Sequence, residues 1–267
     1  NKILHKKILS GDPFMAARIG ATEIKAILYP SLPKLLKIFF KKRFFSRMFE
    51  LSGFFPSNEE NIIRFSEMML IDMKKVDILG SWRIEENFFK DELNNAIRIK
   101  LNALEPYLHD EPWSKALEGK KVLVVHPFAE LIYEQYKKKD FLFPNKNVLP
   151  NFELSVIKAV QSLSGEKNPF ENWFQALEFM KKEISQKDFD IALIGCGAYG
   201  FPLAAHTKKI GKQSIHIGGS LQILFGIKGA RWNNHPIISK FYNEHWVRPR
   251  AEDRPSKSHL VENDCYW

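Results

Sequence analysis

The sequence predicts an α/β fold of the Rossmann-like kind: a mostly parallel sheet with helices on both faces. Two observations carry the prediction. Short runs of Val, Ile and Leu alternate along the chain with longer amphipathic stretches. A glycine-rich turn at 195–200 then joins one apolar run directly to a helix. No self-similar period of about 20 to 50 residues is present, which excludes a solenoid. The expectation is one domain over residues 1–245 with an irregular tail, 246–267, packed on it.

In chain order, residues 14–19 read as a short buried strand and 21–28 as a helix. Pro30 and Pro33 close that helix, because proline has no N–H to continue it. The stretch from Leu35 to Phe49, LLKIFFKKRFFSRMF, sets Phe39, Phe40, Phe44 and Phe45 among Lys37, Lys41, Lys42, Arg43 and Arg47. Two readings stay open for it: a core helix with its cations in water, or a basic amphipathic helix lying on an acidic membrane. Further on, 58–73 reads as a helix, 76–82 as a strand, 91–104 as a helix and 121–125 as a β-branched strand. Residues 129–138, 154–162 and 172–185 read as helices, 189–194 as a strand, 202–210 as a helix and 214–217 as a strand. Beyond Ile238, Pro249 and Pro255 interrupt any helix, so the tail either packs on the surface or folds over a cleft.

At 267 residues and 45% apolar composition the chain can bury a core without covalent staples. Two cysteines, Cys196 and Cys265, are too few for a disulfide framework and fit a reducing compartment. The opening residues 1–11 are polar and basic, unlike a signal peptide. The longest apolar runs fall well short of the roughly 20 residues a spanning helix needs. The expected location is therefore the cytoplasm, with peripheral contact at the inner face of the membrane through Leu35 to Phe49. Forty Lys and Arg against 31 Asp and Glu give a net charge of +9, which favours an anionic partner.

The clearest local signal is Gly195, Gly197 and Gly200 in G-x-G-x-x-G, placed between a predicted strand and a predicted helix. Glycines let the backbone approach a phosphate that free N–H groups at the helix start can hold. A dinucleotide site would add an acidic residue about 20 positions later. The next strand instead carries His216, and no Asp or Glu occurs between Ile191 and Asn243, whereas Lys208, Lys209, Lys212, Lys228, Arg231 and Lys240 do. That balance suits a diphosphate. Downstream, Gly218, Gly219, Gln222, Lys228, Arg231 and Trp232 form a second dense patch. Arg231 offers a fork for phosphate and Trp232 a face for a base or sugar.

Arg18, Gly20 and Glu23 stand where the first strand hands over to a helix, with Glu23 able to hold a metal or accept a proton. His126 and Glu130 follow another strand at the same expected edge. Asp188 and Asp190 precede their strand, roughly 15–20 Å from the glycine turn, and are not expected to join the site. There is no G-x-S-x-G, H-E-x-x-H, Walker lysine or Cys-x-x-Cys.

Arg18-Ile-Gly-Ala-Thr-Glu23, together with the unit from Gly195 to Gly219, resembles the GT-D class of bacterial glycosyltransferases over most of the chain. That class carries an early R-[FY]-G-D-G-E segment and a late strand, glycine turn, L-A-x-x-L helix and G-K-x-x-I-x-I-G segment. Leu203, Ala204, Gly211, Ile215, Ile217 and Gly218 fit the late pattern. The late segment and the ending Cys265-Tyr266-Trp267 are also similar to proteins of polysaccharide gene clusters. The resemblance implies transfer of a sugar from a nucleoside diphosphate sugar to a glycan or lipid-linked acceptor, with Mn²⁺ or Mg²⁺ at the acidic motif. By that likeness Arg18, Gly20 and Glu23 take the place beside the diphosphate; on the transferase reading Gly195, Gly197, Gly200, His216, Gly218, Gly219, Gln222, Lys228, Arg231 and Trp232 join Arg18 and Gly20 around the donor, and Glu23, His126 and Glu130 are candidates for proton removal. Ala21 and Thr22 replace the motif's Asp and middle Gly, which weakens the metal site at Glu23. Haem, zinc, NAD and nucleic acid are not expected. The rival readings are a nicotinamide-dependent oxidoreductase and a non-catalytic basic module for nucleotide or membrane.

Overall fold

A computed structural model describes residues 1–267. At its centre lies a seven-stranded sheet, all parallel, in the order β3-β2-β1-β7-β6-β4-β5. The strands are β1 (Met15–Ala17), β2 (Ile78–Ser81), β3 (Ile97–Lys100), β4 (Lys121–His126), β5 (Glu153–Lys158), β6 (Ile191–Ile194) and β7 (Gln213–His216). The helices are α1 (Lys2–Ser10), α2 (Ala21–Leu28), α3 (Lys34–Ser52), α4 (Glu59–Met73), α5 (Ala129–Tyr136), α6 (Lys139–Leu142), α7 (Trp173–Ser185), α8 (Gly200–Lys209) and α9 (Leu221–Leu224). The fold is therefore α/β and Rossmann-like.

Strand side chains alternate between two cores, as a period of two requires. Ala17, Leu79, Leu123, Val125, Ala192 and Ile194 face one core with α2, α4, α7 and α8. Their neighbours Ala16, Ile78, Val122, Val124, Leu193 and Ile215 face the other, with α1, α5 and the C-terminal residues Val261, Cys265 and Trp267. With both faces covered, the inner strands β4 and β6 read as unbroken apolar runs, so the sequence revealed them, whereas β7 is buried although its residues are Gln, Ser, Ile and His.

The sheet edges depart from the sequence reading. Residues 91–104, expected as a helix, form turns around edge strand β3, and 154–162, also expected as a helix, supply edge strand β5. Both strands are largely unburied, so neither shows the continuous apolar run of an inner strand. The opening residues fold as α1, whose Leu4 and Ile8, one turn apart, are fully buried. From Ile238 onward the chain runs in short 3-10 turns, tied to the body by a bridge between Ile227 and Val247. No helix is long and apolar enough to cross a membrane.

The chain leaves β1 towards β2 and returns on its other side as β7. The connections at the carboxyl ends of β1 and β7 therefore diverge and open a crevice, where open α/β sheets bind ligands.

Candidate functional site

From the end of β1, Arg18 reaches into that crevice, its guanidinium 4.7 Å from the centre of the Trp82 ring. Trp82 follows β2 and donates from Nε1 to the Ile19 carbonyl at 2.9 Å. Its turn is pinned by buried Glu86, which accepts from the Trp82 and Arg83 N–H groups, both at 3.1 Å, and from the Ser81 hydroxyl. Arg18 is thus held in a largely dry place. Burial lowers its pKa, and the charge of Arg231 adds to the effect against the opposing pull of Tyr266 and Glu23.

After β6 the glycine turn packs as its fingerprint demands. A Cβ on Gly195 would lie 2.6 Å from the Gly218 carbonyl, and one on Gly200 only 2.1 Å from His216 Cε1. Gly200 thereby lets the start of α8 press onto the end of β7, the helix–strand contact assigned to the third glycine of such motifs.

Two joined hollows run along this edge. Arg18, Glu23, Glu105, His216, Arg231 and Trp232 line the first, together with Gly20, Gly197 and Gly218. His126, Gly195, Cys196, Tyr199, Gln222 and Trp267 line the second. Tyr266, Gly219 and Ser52 border both. Tyr266 gets there because Glu262, Asn263 and Asp264 have φ of 47°, 54° and 60°, which turns the tail back into the cleft. Asn and Asp tolerate that conformation better than most residues.

Gln222 fastens the tail in place. Its Nε2 faces the carbonyls of Ile227, Lys228 and Tyr266 at 3.3, 3.2 and 3.1 Å, so its amide nitrogen is committed to the protein. Its Oε1 is buried without a partner. Arg231 pairs with Glu262, and its guanidinium lies 4.9 Å from the Tyr266 ring centre.

The two histidines take opposite hydrogen-bonding roles. His126 Nδ1 accepts from the Phe128 N–H at 3.0 Å, and burial pushes its pKa down to about 3, so the neutral ring carries its proton on Nε2. It can donate but is a poor base. His216 Nδ1 lies 3.2 Å from the Ile194 carbonyl, which can only accept, leaving Nε2 as an acceptor. Burial, and then Arg18, pushes its pKa to about 3 as well.

Two expected residues lie outside the cleft. Glu130 is exposed and pairs with Lys158 at 2.9 Å, because its helix neighbours Ala129, Leu131 and Ile132 take the buried side. The Lys228 backbone N–H donates to Val247 at 2.7 Å, and its ammonium lies 5.3 Å from the Tyr242 ring centre. Asp188 and Asp190 bind Lys121 at the opposite, amino end of the sheet.

Two residues lining the cleft, Trp82 and Glu105, carried no motif, and Tyr266 entered only through the resemblance of the chain's ending. Of the first two, only Trp82 was within reach of the sequence, as the last residue of a predicted strand. Burial raises the Glu105 pKa against the opposing effects of Ser220, Arg18 and Tyr107. A carboxyl raised by folding holds more protons folded than unfolded, so its contribution to stability falls as pH rises above the ordinary carboxylate range. Urea unfolding as a function of pH should show this fall weakened in Glu105→Gln.

The donor set does not form an all-protein cage for a divalent ion. No three His, Cys, Asp or Glu side chains cluster closely enough to hold a metal. Ala21 removes one carboxylate, and that of Glu23 folds back against Gly20, where a Cβ would come within 1.8 Å of Oε2.

No protein-family model and no curated protein matches the chain. Among solved structures, one described as a selenomethionine-substituted domain of unknown function 1792 is similar. It is 14% identical, with 91% of this chain and 92% of that chain covered and a TM-score of 0.41.

Proposed function

We propose that the cleft binds a nucleoside diphosphate sugar and transfers the sugar to a glycan or lipid-linked acceptor in surface polysaccharide synthesis. The observation that carries this reading is that two guanidiniums, Arg18 and Arg231, line one hollow beside the glycine turn. Arg18 makes no ion pair and Arg231 shares its fork with the exposed Glu262, and a diphosphate supplies two charged groups with fork-compatible oxygens. The 3-10 turn Gly197–Tyr199 that leads into α8 adds backbone N–H groups near the positive end of a helix dipole.

In this reading an acceptor hydroxyl oxygen bonds to the anomeric carbon while the bond from that carbon to the diphosphate oxygen breaks. The electron pair leaves with the nucleoside diphosphate, whose charge Arg18 and Arg231 neutralise in place of a metal. The acceptor proton goes to Glu105, whose raised pKa makes it a better base than an ordinary carboxylate. Glu23 and the His216 Nε2 then serve donor hydroxyls, and His126 donates from Nε2 in the second hollow. A nicotinamide cofactor fits less well, because His216 stands where a ribose-binding carboxylate belongs.

A thermal-shift screen of nucleoside diphosphate sugars and NAD(P) tests the reading. One nucleoside diphosphate sugar should stabilise the protein, and Arg18→Ala should weaken its Kd by roughly 10- to 100-fold, the range for a lost charge-assisted bond of about 1.5–3 kcal/mol. Stabilisation by NAD(P) alone, or by no nucleotide, would sink it.

A further inference from the structure

The first half of α3 projects from the body with its apolar side chains in water. Leu35, Phe39 and Phe40 are 64%, 71% and 50% exposed, and Leu36 and Ile38 are exposed too. The expectation of a core helix holds only for its second half, where Phe44, Phe45 and Met48 pack inward. Spacings of three and four residues place Leu35, Leu36, Phe39 and Phe40 on one stripe, and the same stripe continues through Arg43 and Arg47. The inward side is satisfied by the protein: Lys37 donates to the Pro30 carbonyl at 2.7 Å and Lys41 pairs with Glu59 at 2.6 Å. On the outward side, Arg43, Arg47 and neighbouring Lys42 make no ion pair. No Asp or Glu occurs between Ile24 and Phe49.

Exposure alone would not select a partner. Ile84 and Phe88 are 80% and 74% exposed, but Glu85 and Glu86 lie between them. Only α3 joins an apolar tip to unpaired cations, its one carboxylate, Glu50, lying in the last turns away from the tip, which is the pattern that buries at an anionic bilayer surface.

We infer that α3 is an interfacial anchor, inserting Leu35 to Phe40 into the boundary of an anionic lipid bilayer with Arg43 and Arg47 at the headgroups. The last residues of the same helix, Leu51 and Ser52, line both hollows of the cleft. The anchor therefore sets the cleft close to the lipid surface. That this favours a lipid-linked acceptor rests on the transferase reading, whereas the anchor itself does not.

Vesicle flotation tests it. The chain should float with phosphatidylcholine vesicles containing a minority of phosphatidylglycerol, stay behind with pure phosphatidylcholine, and be released by salt. Arg43→Gln with Arg47→Gln should weaken binding about thirtyfold, at roughly fivefold per cation. Phe39→Ser with Phe40→Ser should abolish flotation without lowering Tm, since both rings are already in water. A Phe39→Trp reporter should shift its emission to the blue on anionic vesicles only. Failure to float, flotation unchanged by either pair of substitutions, or concentration-dependent self-association lost in the Phe pair would overturn the anchor, the last pointing to a second copy. Nucleotide-sugar stabilisation measured on the same variants without vesicles reports on the cleft alone, so the two readings fail separately.

Discussion

Lowering the pH from 7 to 5 is expected to remove about 4 kcal/mol of stability through two residues, His126 and His216. Each titrates near 6.5 when unfolded but near 3 in the folded chain. A depressed folded pKa means the unfolded chain binds the proton first, so stability is intact above 6.5 and declines as pH falls towards 3. By pH 5 about 1.5 units of that gap have been crossed per ring, which removes roughly 2 kcal/mol each at 1.36 kcal/mol per unit. That is a large part of the roughly 5–15 kcal/mol typical of a folded domain. Urea unfolding at the two pH values measures it. Carboxylates also respond to acid, so the decisive figure is the difference from His126→Asn and His216→Asn, each of which should remove about half of the loss. An unchanged loss in both variants would mean that neither ring is as dry as its surroundings indicate.

Gly200→Ala is expected to destabilise the fold by about 3 kcal/mol or more, although alanine is ordinarily the better helix residue. Propensity favours alanine by about 1 kcal/mol inside a helix and by less at its first position. Against this, the new methyl would meet His216 at 2.1 Å from Cε1 and 2.3 Å from Nδ1. The ring is buried and held to the Ile194 carbonyl, so it can retreat only towards the adjoining hollow, at the cost of that hydrogen bond. Overpacking of this kind costs roughly 1–3 kcal/mol, and a broken buried hydrogen bond adds about 1–3 more. A displaced His216 should also lose its depressed pKa, so the acid-dependent loss should shrink by about half in the same variant. A Tm equal to or above that of the parent would refute the steric argument.

The inner architecture was legible because strands covered on both faces are written as apolar runs, as in Val122–Val125 and Ile191–Ile194. The edges were not, because β3 and β5 are half in water and their patterns admit more than one element. In the site, the glycine turn and Arg18 were visible through the order strand, turn, helix. Glu105 was hidden because its position depends on β3, itself misread as helix. Tyr266 depended on three successive positive-φ residues, a reversal that no local pattern announces. Lys228 and Glu130 were placed by proximity in sequence, but the backbone bridge at Val247 and the buried side of α5 decided where their side chains point.

The pairing of β1 with β7 has a consequence for how the chain is made. Met15 lies beside Ser214, so the inner strand β1 must wait for a partner that emerges about 200 residues later. At a synthesis rate of roughly 5–20 residues per second, that is about 10–40 s during which one side of β1 has no neighbour. Until then β1, β2 and β3 form at most a three-stranded fragment whose open flank can recruit another nascent chain. The crevice that Arg18 enters comes into being only when β7 closes that flank, so binding competence and completion of the sheet are reached in one event.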